Sequence, residues 1–291
     1  MTSNFSIKLK ANSGSNLLSL CEITGIPKNK EGIKISNKDI VKIDGKIVSK
    51  EKKEYLILNK PKNFITTLID PQNRRTVKDL RIEEYILNLS KKDKPNICFI
   101  PTATGDNDAY KVNYYDVFTK FNCNPTHIDF FKRTIDLSSH IPEQDIIFVG
   151  GGNTKSMLAV WKDWGLDELL RDANENGTVM SGVSAGAICW FEKGITDSWA
   201  NSLNVLDCLG YTRGNCCPHY DEEPERKPSL SNFISNGEIS ECFAIDGGCA
   251  LHLKNDQVHK AVSFKDGKNS FLVKNENKEI IETVLPRIIL A

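Results

Sequence analysis

Three groups of residues in this chain have types and spacing that suit chemistry. The first is Gly182-Val183-Ser184-Ala185-Gly186, of the form G-x-S-x-G. The run Thr178-Val179-Met180 leads into it, and Ala187-Ile188-Cys189-Trp190-Phe191 continues from it with a helical pattern. Strand, tight turn and helix form the context a serine nucleophile needs, because small flanking residues push its hydroxyl into the open. A helix behind it offers free N–H groups and a positive dipole end to a developing oxyanion. An ordinary glycine-rich turn is the competing reading.

The second group is Gly150-Gly151-Gly152-Asn153-Thr154, directly after an apolar strand ending at Val149. The C-terminal edge of a parallel sheet is where ligands bind in open α/β folds. Asn153 suits the N-cap of a following helix, and the glycines let backbone approach a substrate. An N–H of Gly151 or Gly152 with that of Ala185 would make an oxyanion hole. Phosphate binding is the alternative, but neither G-K-[ST] nor G-x-G-x-x-G spacing is present. The third group is Cys216-Cys217-Pro218-His219-Tyr220-Asp221. A serine needs a base to take its proton, and of the five histidines only His219 stands in a Pro-bounded loop downstream of the serine. Cys216, Cys217 and His219 lack a fourth metal ligand, so neither a metal nor an organic cofactor is expected.

These groups must be positioned by the elements between them. Ile82 to Leu89 is amphipathic, Asn96 to Ile100 reads as a strand, and Tyr110 to Phe121 has helical period. Thr126 to Phe131 and Asp145 to Val149 read as strands, Thr154 to Trp161 and Leu166 to Ala173 as helices. Apolar strands alternating with helices predict a three-layer α/β domain with a mostly parallel sheet. Upstream, Asp44-Gly45 between Ile40–Ile43 and Lys46–Val48 is a hairpin signal, because a type I′ turn needs positive φ at both positions. Tyr55-Leu56-Ile57-Leu58 reads as a strand.

The chain has 291 residues, 40% hydrophobic and 26% charged, with zero net charge. That is a globular composition with length for one large domain or two smaller ones. No apolar run approaches the ~20 residues of a membrane helix, so no membrane partner is expected. The N-terminus lacks a signal-peptide core. Nine cysteines without repeated C-x-x-C spacing fit a reducing cytoplasm better than a disulfide framework. Residues 1–80 hold 16 Lys and Arg against 8 Asp and Glu. This asymmetry suggests two units, a basic segment, 1–81, and an α/β domain, 82–291, with a solvated lysine-rich face as the plainer reading of the charge.

Gly150–Thr154, the core Ser181–Ile188, Pro218-His219-Tyr220-Asp221 and Ile100-Pro101-Thr102-Ala103 come in compatible order. Together they resemble the aspartyl dipeptidase (peptidase E) and cyanophycinase family of serine peptidases over about residues 82–275. The resemblance implies a class I glutamine-amidotransferase-like, flavodoxin-like fold, a small peptide substrate and a Ser–His–acid arrangement. Carried over, Ser184 is the nucleophile, His219 the base, and Gly151, Gly152 and Ala185 the oxyanion hole. Asn153 and Arg213 are the substrate-binding candidates, Arg213 as a cation for an N-terminal aspartate. Two departures stand out. The family's acid falls in Phe243–Leu251, where Gly247 takes its place; Asp246 beside it is the candidate third member of the triad. The family's first strand is missing before Ile82, so the sheet lacks a strand or borrows Tyr55–Leu58.

Residues 38–80 resemble the start of rRNA pseudouridine synthases, through Asp44–Val48, Tyr55–Lys62 and Arg74–Leu80. The catalytic aspartate of those enzymes lies beyond this stretch, so that activity is not expected. A weak RNA contact through residues 1–80 is the partner this resemblance would allow, since phosphate attraction is non-specific. A peptidase-like binding protein with an impaired triad is the remaining alternative, motivated by Gly247.

Overall fold

The computed structural model describes residues 5–7, 41–43, 46–48, 53–59 and 81–290. The chain divides into two compact units, Met1–Glu51 and Lys52–Ala291. In the first, β1 (Phe5–Ile7), β2 (Val41–Ile43) and β3 (Lys46–Val48) form a three-stranded sheet. Ile43 pairs with Lys46 across antiparallel β2 and β3, and the Asp44-Gly45 turn expected between them lies outside the described residues.

The second unit begins with β4 (Glu54–Asn59), α1 (Arg81–Leu89), β5 (Asn96–Ile100), α2 (Asp108–Phe118) and β6 (Asn124–His127). Next come the one-turn α3 (Leu137–His140), β7 (Ile146–Val149), α4 (Thr154–Asp163), α5 (Leu166–Glu175) and β8 (Val179–Val183). After the one-turn α6 (Ala185–Ile188) come β9 (Lys193–Thr196), β10 (Asn204–Asp207), β11 (Asn215–Cys217), α7 (Arg226–Ser235) and β12 (Glu241–Ile245). The C-terminal part is β13 (Cys249–Lys254), β14 (Gln257–Ser263), β15 (Ser270–Glu276), β16 (Glu279–Val284) and β17 (Arg287–Ile289).

Eight strands form one sheet in the order β17-β14-β13-β4-β8-β7-β5-β6. Its five contiguous strands from β4 to β6 are parallel, as the alternating pattern predicts. The borrowed strand is real: β4 lies ahead of the expected 81/82 boundary, yet sits in the middle of this sheet, parallel to β8 and antiparallel to β13. The alternation of a strand explains how it is held. Tyr55 and Ile57 pack with Met157 and Trp161 of α4 and Leu170 of α5. Leu56 and Leu58 pack on the other face with Ile82 and Ile86 of α1 and Tyr114 of α2. A strand buried on both faces belongs at the centre of a layered fold.

Two expectations are corrected. β6 stops at His127 rather than Phe131, because the amides of Phe130 and Phe131 turn onto the Asp106 carboxylate instead of a strand neighbour. A second, six-stranded sheet, β10-β9-β11-β12-β15-β16, stands beside the first. There β9, β11 and β12 are parallel, and β10, β15 and β16 are antiparallel additions. Among the described residues no helix is long and apolar enough to cross a membrane.

Candidate active site

The site forms where the C-terminal ends of two neighbouring strand pairs meet. In the first pair Val149 of β7 lies opposite Gly182 of β8, so the Gly150–Gly152 turn and Ser184 emerge side by side. The turn at Ser184 is tight enough that side chains are excluded around it. A Cβ on Gly182 would lie 2.3 Å from Gly186 O, and one on Gly186 would lie 2.3 Å from Val149 O. Ser184 itself has φ 53° and ψ −111°. That is a strained conformation for a residue with a side chain, and such strain persists only where the surroundings impose it. A Cβ on Gly151 would lie 3.1 Å from Ser184 Cβ and 3.7 Å from Ser184 Oγ. Gly152 has φ 136°, with Ala103 O so near that a Cβ would clash at 2.2 Å.

The helix expected behind Ser184 is a single turn, Ala185–Ile188. Its macrodipole is correspondingly small. It does supply the Ala185 amide, the first N–H of the turn, which by position has no intrahelical acceptor. Gly150 N–H donates to Ile100 O at 3.1 Å and Asn153 N–H to Ala103 O at 2.8 Å. These two bonds anchor the glycine turn on either side of Gly151 and Gly152.

In the second pair, β11 and β12 run parallel, with Cys217 opposite Ala244. Tyr220 N–H continues the pairing to Ile245 O at 3.1 Å. His219, with φ 56°, stands at the end of β11. Its Nε2 is 3.0 Å from Ser184 Oγ. Its Nδ1 is 3.0 Å from a carboxylate oxygen, and that carboxylate belongs to Glu222. Glu222 N–H donates to His219 O at 3.1 Å. This single turn folds the Glu222 side chain back over the imidazole. Both side chains are largely buried, 15% exposed for His219 and 12% for Glu222. Burial strengthens the pair by reducing the local dielectric.

Asp246 is therefore not the partner of His219. It is 6% exposed, and its Oδ2 accepts from Asn269 N–H at 3.1 Å. Burial raises its pKa, against the lowering effect of that bond. Gly247 has a different part. A Cβ on it would lie 2.3 Å from both Cδ and Oε1 of Glu222. The glycine that the resemblance sets at the acid's place is the floor on which the Glu222 carboxylate lies. Asp221 Oδ1 accepts from Gly247 N–H at 2.8 Å and fixes that floor, and Lys268 pairs with the same carboxylate. Burial works against ionisation of Asp221, but the Lys268 and Gly247 bonds outweigh it and hold its pKa low.

The substrate-binding candidates fare differently. Asn153 caps α4, with Oδ1 accepting from Ser156 N–H at 2.9 Å, and its Nδ2 donates to Ser198 O at 2.9 Å. Both ends of its side chain are in structural use. Arg213 is exposed and precedes β11, at the opposite end of that strand from His219. The strand's direction carries it away from Ser184. Cys216 and Cys217 are fully buried. Burial pushes the Cys217 thiol up to about 11.

The sequence pattern of Peptidase family S51 matches residues 72–261. An uncharacterized peptidase, YgaJ, of Bacillus subtilis (strain 168) is 47% identical over 209 residues, covering 72% of this chain and 90% of that protein. Peptidase E of Haemophilus influenzae is 24% identical over 190 residues, covering 61% and 83%. The solved structure of a peptidase from an acI-B1 Actinobacterium superposes with a TM-score of 0.59 at 13% identity, covering 80% of this chain and 96% of that one. A putative peptidase E from Listeria monocytogenes EGD-e gives 0.51 at 18% identity, covering 74% and 100%. At those identities the two structures speak for the fold. The stretch resembling a pseudouridine synthase falls largely outside the described residues, and its β4 portion is a strand of the eight-stranded sheet.

Proposed function

The chain belongs to peptidase family S51 and is a peptidase, and we propose that it hydrolyses small peptides through an acyl-enzyme on Ser184. The observation that carries this reading is the continuous chain Ser184 Oγ–His219 Nε2 and His219 Nδ1–Glu222 Oε2, at 3.0 Å in both links, on a serine held at positive φ. Glu222 fixes the tautomer with its proton on Nδ1, which leaves Nε2 free to accept. Ser184 Oγ attacks the scissile carbonyl as its proton passes to His219 Nε2. Negative charge develops on the carbonyl oxygen and is met by the Ala185 amide with that of Gly151 or Gly152. The C–N bond then breaks as His219 returns the proton to the leaving amine. Water repeats the sequence on the ester, its proton going to His219 and then to Ser184 Oγ. No step calls for a metal or an organic cofactor.

With Glu222 as the acid, Gly247 no longer argues for an impaired binding protein. A preference for N-terminal aspartate would need a cation other than Arg213. The test is covalent labelling with a fluorophosphonate, which reacts only with an activated serine. Labelling should map to Ser184 and vanish in Ser184→Ala, with the melting temperature kept. Hydrolysis of a mixed dipeptide and tripeptide set should vanish with it. Turnover retained by folded Ser184→Ala would overturn the serine mechanism.

A further inference from the structure

Both halves of the site lean on the end of β9. On one side, Ser198 Oγ accepts from the amides of Thr154 at 3.0 Å and Lys155 at 3.4 Å. Asn153 Oδ1 and Asn153 O take the next two amides, Ser156 and Met157. All four N–H groups that open α4 are thus paired, two of them on a segment remote in sequence. Asn153 Nδ2 adds a third bond, to Ser198 O. The position of Ser198 is set by Thr196, whose Oγ1 accepts from Ser198 N–H at 3.2 Å and lies 2.7 Å from its hydroxyl. Lys155 Nζ lies 4.4 Å over the Trp199 ring and closes the same contact.

On the other side, Arg226 is 2% exposed at the start of α7. Its Nη1 donates to Ile195 O at 3.0 Å and its Nε to Glu223 Oε2 at 2.6 Å. Glu223 N–H in turn donates to His219 O at 3.3 Å. The segment Ile195–Ser198 therefore reaches both the turn that carries His219 and the residues directly after Gly152.

We infer that Ile195–Ser198 is a strut that sets the oxyanion turn against the histidine turn, with Ser198 and Arg226 as positioning residues. The need for a strut arises in the turn itself. Gly151 and Gly152 have no side chains to hold them, and glycine backbone is permissive. Oxyanion donors act only when held about 3 Å from where the charge develops. The Ala103 O bond holds the turn from one side, and Ser198 holds the residues after it from the other. This inference rests on the serine reading above, and it specifies what keeps that site in register.

The test uses the full chain and a fluorophosphonate, with the saturating labelling rate (kinact) and the half-saturation concentration (KI) measured separately. Ser198→Ala should lower kinact about tenfold with KI unchanged, given that misplacement by ~1 Å can cost ~100-fold. Ser198→Thr, which keeps the hydroxyl, should restore it. Arg226→Lys should also lower kinact, and the double variant should lose little more than the worse single one, since one strut is broken either way. If Ser198→Ala fails to fold, Thr196→Val, which frees Ser198, should give the same fall. Unchanged kinact in a folded Ser198→Ala or Thr196→Val, or losses from Ser198 and Arg226 that simply multiply, would overturn the strut. Failure of the wild-type chain to label would overturn the serine reading instead, which keeps the two outcomes distinct.

Discussion

Gly247→Ala should disable the triad without touching any of its members. The added Cβ would stand 2.3 Å from Cδ and Oε1 of Glu222. Unbonded carbons settle at about 3.5–4.0 Å, so the carboxylate must retreat by roughly 1 Å or more. Its bond to His219 Nδ1 is 3.0 Å long and does not survive such a shift. The atoms displaced are the far end of a flexible side chain, so the fold remains. The stability cost should fall in the ~1–3 kcal/mol range of an overpacked site. The catalytic cost should be much larger. Losing tautomer control in a serine triad costs about 10⁴ in rate. A displaced carboxylate still stabilises the imidazolium through space, so we expect a loss of about 10²–10⁴ in the labelling rate of Ser184. The decisive assay is a cycle with Glu222→Gln. In that background Gly247→Ala should cost almost nothing further, because its effect is already present. Full labelling by folded Gly247→Ala, or an undiminished effect in the Glu222→Gln background, would refute the reasoning.

The same geometry sets other outcomes. Glu222→Gln should lower the acylation rate by about 10⁴, whereas Asp246→Asn should leave it within about tenfold, as stopped-flow labelling of the two variants would show; the reverse order would return the acid's role to Asp246. His252 should make the fold sensitive to acid. Burial first, then Lys254, His259 and Lys260, lower its pKa to about 3, against the buried Glu54 carboxylate 3.6 Å from its Nε2. Below pH ~6.5 the unfolded chain takes up a proton that the folded chain refuses. Stability should therefore fall as pH drops from about 6.5 toward 3, and His252→Gln should flatten that part of a melting-temperature profile. Deleting residues 1–51 should preserve labelling, because β4 lies in the second unit. Deleting residues 1–59 removes Tyr55, Leu56, Ile57 and Leu58, whose burial is worth roughly 6–10 kcal/mol. That is comparable to the whole stability of a domain, so an insoluble or molten product is expected, and an unchanged melting temperature would disprove it.

How much the sequence makes legible depends on how local the determining physics is. Ser184 can be read directly, because the sterics that isolate it are set by Gly182 and Gly186 within five residues. His219 can be read because Pro218 ends a strand and turns the next residues out of it. Tyr55–Leu58 can be read as a strand, but not as the centre of a sheet. Its partners, Met180–Val183 of β8 and Ala250–Leu253 of β13, are remote in sequence. Four strands of the second sheet, β9, β10, β11 and β12, are short, three to five residues, and carry too few alternations to declare themselves.

The acid is the instructive failure. Glu222 carries a plain signal, a carboxylate three residues after the histidine in a segment that a proline forces to turn. The family resemblance hides that signal, because it puts the acid in the loop after β12, and that loop offers Asp246. Read one position at a time, Gly247 is a missing side chain. Taken with Glu222, it is a space that another side chain fills, because no residue larger than glycine leaves room for the carboxylate above it. Glycine at 247 and glutamate at 222 are a single arrangement. It gives His219 Nδ1 its acceptor from the turn after β11, where the resemblance looks to the loop after β12. A triad is defined by what each atom does for its neighbour. The search for an acid should accordingly begin from the ring nitrogen that needs a partner and ask which carboxylates the local turn can deliver to it.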